Sequence, residues 1–112
     1  MHVDGRPTDG AGDERLAVAY PYTGETWATV PDATESDVDD AVAAARACYE
    51  SDEWGALTAS ERGELLFALA DELEAHAEEL GRLESLSNGK LHREMRAQAE
   101  ALPEWYRYYA GL

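Results

Sequence analysis

Cys48 is the one cysteine in the 112-residue chain and the first residue that could do chemistry. A thiolate attacks carbonyls and binds metals, and it is activated by a helix N-terminus or by basic neighbours. Cys48 falls near the end of an apolar-periodic helix, away from its N-terminus, and is followed by the acids Glu50, Asp52 and Glu53. Its surroundings support a small packing residue. His2, His76 and His92 lack the i, i+4 spacing of zinc-binding helices. The pairs Asp39/Asp40, Asp71/Glu72 and Glu78/Glu79 have the residue types for acid–base work, yet they sit on solvated faces of a chain that is acidic throughout. Gly5, Gly10 and Gly12 have no strand before them and no helix after, so they do not form a dinucleotide fingerprint. Trp105, Tyr106, Tyr108 and Tyr109 are suited to packing against another part of the protein; base stacking would need a basic stripe, which is missing. No catalytic, cofactor-binding or metal-binding residue is assigned.

The charge that surrounds these groups is the compositional outlier. There are 24 Asp and Glu against 9 Lys and Arg, a net charge of −15, and Lys90 is the sole lysine. At this density the chain repels itself in dilute buffer, whereas molar salt screens charges over about 3 Å. The acids are spread over every segment rather than gathered in a block, which points to a salt-filled cytoplasm rather than an interaction tail. A single cysteine fits a reducing compartment. Phosphate backbones and anionic membrane surfaces are excluded as partners. No apolar run approaches the roughly 20 residues of a membrane span, and MHVDGRPTDGAGDER lacks the basic and apolar regions of a signal peptide.

The elements that must position any site read as mostly α with a small N-terminal β-hairpin. Residues 1–14 are Gly-, Asp- and Pro-rich without apolar period and are expected to be flexible, with the domain proper at 15–112. Strands around Pro21-Tyr22-Thr23-Gly24 make a hairpin over about 15–31. Thr34 with Asp37, and Thr58 with Glu61, have capping-box spacing and open helices over about 35–50 and 59–87. The first has an apolar face of Val38, Ala41, Val42, Ala45 and Tyr49. The second has Leu65, Leu66, Leu69, Leu73, Ala77, Leu80 and Leu83, and a favourably spaced Glu78–Arg82 pair. Asn88-Gly89 ends it with a left-handed cap. A third helix over about 91–110 is expected to kink or restart at Pro103. These faces can pack as a helical bundle, or on a sheet that this chain does not contain.

Four stretches, in order, resemble the opening part of the NAD(P)-dependent aldehyde dehydrogenase superfamily. They are Pro21-Tyr22-Thr23-Gly24-Glu25; Asp37-Val38-Asp39 through Ala44-Ala45-Arg46, with Trp54, Leu57, Glu61 and Arg62; Leu69-Ala70-Asp71 and Leu83-Glu84-Ser85 leading to Asn88-Gly89-Lys90; and Tyr108-Tyr109-Ala110-Gly111. The resemblance runs from Tyr20 to Leu112. Tyr20, Ser87, Leu91 and Pro103 depart from the family pattern, and Ser87 replaces an acid that helps hold a structural monovalent cation in several relatives.

What the resemblance implies is the N-terminal part of an α/β enzyme that oxidises an aldehyde to a carboxylic acid. In that family a cysteine thiolate attacks the aldehyde, hydride passes to NAD or NADP, and a glutamate-activated water releases the acid. No such group falls on a residue of this sequence, so the chain is expected to bind no cofactor by itself and to be inactive alone. Some relatives line the substrate entrance with the third helix, where this chain has Ala97 and Ala101, here read as packing residues. Implied partners are the remainder of a dehydrogenase, or further copies in a full-length homo-oligomer. Two other readings stand beside this one: a small acidic helical interaction module, and an unrelated salt-adapted protein.

Overall fold

The computed structural model describes residues 1–112 throughout. The chain divides into two compact units, Met1–Val18 with Thr26–Ala56, and Ala19–Glu25 with Leu57–Leu112. No helix is long and apolar enough to cross a membrane.

The first unit opens with a hairpin inside the stretch expected to be flexible. Strands β1 (His2–Val3) and β2 (Arg6–Pro7) pair antiparallel, His2 opposite Pro7 and Val3 opposite Arg6. Between them Asp4 and Gly5 take φ of 52° and 72°, the two left-handed positions an Asp-Gly hairpin turn supplies. The Thr8 N–H donates to the Met1 carbonyl at 3.0 Å, and the Ala11 N–H to Asp37 Oδ1 at 2.9 Å. Residues 1–14 are therefore built into the unit, contrary to their composition. The turn dipeptide was their one usable signal.

Strands β3 (Arg15–Ala19) and β4 (Thr26–Pro31) form a second two-stranded sheet. Its turn is closed by Tyr20 N–H to the Glu25 carbonyl and Gly24 N–H to the Tyr20 carbonyl, both 2.8 Å. Gly24 sits at φ 74°, as the turn requires.

Helix α1 (Glu35–Glu50) starts at the expected capping box. Thr34 Oγ1 accepts from the Asp37 N–H at 3.3 Å, and Asp37 Oδ2 accepts from the Thr34 N–H at 2.9 Å. The Thr34 hydroxyl and then the Thr34 amide hold the Asp37 carboxyl below its ordinary value. A one-turn helix, α2 (Asp52–Gly55), follows, capped by Ser51. No residue of this unit is buried. The apolar face of α1 is open, with Val38, Val42 and Tyr49 exposed by 52%, 64% and 66%.

The second unit holds the core. Helices α3 (Ala59–Ala75) and α4 (Ala77–Asn88) both pack on α5 (His92–Ala110). The expected single helix over 59–87 is two, divided at His76 (φ −109°, ψ 11°). The leucine period runs through the break and so conceals it. The break lets α3 present Gly63 and Ala70, and α4 present Ala77, Gly81 and Ser85, to the same partner helix. Small residues, not leucines, make the contact: a Cβ on Gly63 would lie 2.5 Å from the Ala110 carbonyl oxygen, and one on Gly81 2.7 Å from Arg96 Cα.

Two further expectations are corrected. Helix α5 runs unbroken through Pro103, whose ring is fully buried. Burial of the ring offsets the one backbone hydrogen bond that proline removes. Glu78 bridges to α5 instead of pairing with Arg82, reaching Arg96 Nη1 at 3.0 Å and His92 Nε2 at 3.7 Å.

Candidate functional site

Cys48 is exposed in the last turn of α1, where its carbonyl accepts from Ser51 Oγ at 2.7 Å. Its side chain lines a shallow pocket of about 330 Å³ with His2, Val3, Asp4, Gly5 and Ala41. His2 and Asp4 are the other groups there that could act as a base. His76 lies at the α3–α4 break, Nδ1 2.9 Å from the Glu72 carbonyl, and His92 faces Glu78. The three histidines stay apart, and no three His, Cys, Asp or Glu side chains converge as a metal ligand set.

One member of two of the carboxylate pairs, Asp71 and Glu78, ties helices together. Arg107 Nη2 reaches Asp71 Oδ1 at 2.7 Å and also Glu74, joining α5 to α3. Hydrogen bonds to Glu74 and then Asp71 hold the Arg107 guanidinium further toward its charged form. Arg96 ties α5 to Glu78 of α4 and to Glu100 one turn on. Asp39 and Asp40 are exposed on α1, as is Glu79 on α4. Each of these ties contacts solvent, so they orient helices rather than store much energy.

The aromatic run is split by its helix. Tyr106 is half-buried, while Trp105, Tyr108 and Tyr109 are exposed, the last two edge-to-face at 5.2 Å. Arg107, inside the run, is taken up by Asp71 and Glu74. Ala97 and Ala101 are exposed in this chain, and the buried residues of α5 are Met95, Ala99 and Pro103. Glycines with positive φ lie at hairpin turns (Gly5, Gly24), in a loop (Gly10) and at a helix C-cap (Gly89). None joins a strand to a helix, so this segment does not fit a dinucleotide phosphate cradle.

Two turns read as sequence motifs do meet. Asn88-Gly89-Lys90 turns the chain between α4 and α5, Gly89 taking φ 76°. Asn88 Oδ1 accepts from the Lys90 N–H at 2.9 Å, and Ser85 Oγ donates to the Lys90 carbonyl at 2.7 Å. A Cβ on Gly89 would lie 2.9 Å from Pro21 Cβ of the other turn. Glycine is needed there twice, for its backbone and for the approach of the proline.

Residues 8–112 match the profile of the Aldehyde dehydrogenase family. The chain belongs to that family. Among curated aldehyde dehydrogenase relatives, it is 42% identical to (Z)-2-((N-methylformamido)methylene)-5-hydroxybutyrolactone dehydrogenase of Acinetobacter baylyi, over 100% of this chain and 22% of the relative. It is 43% identical to phenylacetaldehyde dehydrogenase of Pseudomonas fluorescens, over 99% of this chain and 22% of the relative. Among solved structures, betaine aldehyde dehydrogenase of Staphylococcus aureus in complex with NAD+ matches 98% of this chain and 22% of its own, with a TM-score of 0.92 and 35% identity. The chain thus spans about a fifth of the length of the aldehyde dehydrogenases it matches and corresponds to an N-terminal segment of their fold. The match extends ahead of Tyr20 and takes in residues 8–19.

Proposed function

We propose that this chain is a structural segment of an NAD(P)-dependent aldehyde dehydrogenase, contributing packing surfaces rather than reacting groups to the oxidation of an aldehyde to its acid. The observation that carries this is the extended likeness to an NAD+-bound dehydrogenase over only 22% of that enzyme, together with a lone thiol that has no hydrogen-bonded base. On this reading the purified chain reduces neither NAD+ nor NADP+ with any aldehyde, in dilute buffer or molar KCl. Turnover above that of a Cys48→Ser control would overturn it.

The open apolar face of α1 favours a variant of the same reading, in which the segment acts as an acidic module that docks on a separately encoded dehydrogenase remainder. We read the net charge of −15 as adaptation to a concentrated salt cytoplasm. The unfolding midpoint therefore rises continuously from about 0.1 M to roughly 2 M KCl, as self-repulsion is screened. A midpoint indifferent to KCl would remove the salt-adaptation reading while leaving the family untouched.

A further inference from the structure

Asn88 is the sole asparagine of the chain, and the residue after it is glycine. This pair carries its own reagents for a covalent change. The Gly89 nitrogen, with no side chain beside it, can attack Asn88 Cγ. An N–C bond then forms, and Nδ2 leaves as ammonia, taking the Gly89 proton with it. The cyclic imide that results is opened by water at either of its carbonyls, to aspartate or to isoaspartate. One water enters and one ammonia departs, with nothing oxidised or reduced.

The folded turn withholds each of these reagents. The Gly89 N–H donates to the Ser85 carbonyl at 2.9 Å, capping α4. Asn88 is the last residue of α4, and a helical side chain leans toward the N-terminus, away from the nitrogen that follows it. Asn88 Nδ2 is drawn the same way, donating to Glu84 Oε1 at 3.2 Å and lying 3.9 Å from Met95 Sδ. The Lys90 N–H occupies Oδ1 at 2.9 Å. Ser85 Oγ closes the turn on the Lys90 carbonyl at 2.7 Å. Asn88 and Gly89 are themselves exposed, so hydrogen bonds rather than burial hold the reaction back.

We infer that Asn88 is a site of spontaneous deamidation gated by opening of the turn between α4 and α5, and that its product keeps the turn from closing again. An aspartate at 88 has no N–H for Glu84. It sets a like charge one helical turn away from that residue, at the negative end of α4. An isoaspartate lengthens the main chain by a methylene where Gly89 meets Pro21. Openings that end in reaction are therefore recorded permanently. Where opening and closing are fast, the rate follows the open fraction of the turn.

The test incubates the full chain in molar KCl and, separately, in concentrated urea, and follows the tryptic peptide Leu83–Lys90 by mass spectrometry that separates isoaspartate from aspartate. Deamidation in KCl is expected to be at least about tenfold slower than in urea, as for a site that reacts only from an open state. Ser85→Ala removes the clasp on the Lys90 carbonyl and should speed the reaction in KCl by about fivefold, the effect of one lost hydrogen bond on the open fraction, without changing the rate in urea. Equal rates for the unaltered chain in KCl and urea, or no effect of Ser85→Ala in KCl, would overturn the gating. Absence of isoaspartate at position 88 in urea would overturn the site itself.

Discussion

Met95→Ala is expected to lower stability by about 2–5 kcal/mol, the range for emptying a fully buried long side chain. Met95 is 1% exposed and sits where α5 meets both α3 and α4. The other buried apolar residues of the core are three alanines and a proline, and how far Leu73, Leu80, Leu83 and Leu102 beside Met95 close the space sets the loss within that range. For a unit of this size the thermal midpoint should fall by more than about 10 °C, measured by circular dichroism in molar KCl. A fall of only a degree or two would place the centre of the core elsewhere.

Gly81→Ala is the second large effect, and its sign is the informative part. Alanine is the better helix former by roughly 1 kcal/mol, so the substitution stabilises an open helix. At Gly81 the added methyl meets Arg96 Cα at 2.7 Å and the Arg96 nitrogen at 2.8 Å, both backbone atoms. Separating two packed helices costs about 1–3 kcal/mol, so the net is a loss. Gly63→Ala should cost less despite its 2.5 Å approach, because Ala110 lies in the last turn of α5 and can give way. Gly55→Ala meets nothing within 4 Å and serves as the control that leaves the unfolding midpoint unchanged or raised. A raised midpoint for Gly81→Ala would mean that α4 and α5 do not approach as described.

Much of this architecture was legible where local chemistry decides it. Thr34 with Asp37 and Thr58 with Glu61 close both capping boxes, and Gly24 and Gly89 adopt the positive φ their turns demand. What escaped the sequence is what depends on a second helix. The leucines of the long apolar period, expected as core, lie at its margin: Leu66, Leu73, Leu80 and Leu83 are half-buried, and Leu65 and Leu69 are exposed. Hydrophobic period identifies a face but not what covers it, and the breadth of these faces exceeds what α5 can bury. The i, i+4 stripe of Ala77, Gly81 and Ser85 was visible as a close-approach signal. The restart expected at Pro103 is absent, and the residue is fully buried. For the site, no residue type and spacing in the sequence marked a reacting group, and within the first unit Cys48 shares its shallow pocket with His2 and Asp4.

Every buried residue of the chain lies between Gly63 and Pro103, and the first unit has none. During synthesis the N-terminal hairpins and α1 therefore leave the ribosome with no interior to join. A core can close only after α5, which supplies Met95, Ala99 and Pro103, has also emerged. The interior of this segment therefore becomes complete only when its last helix has been made, however early its N-terminal hairpins have turned.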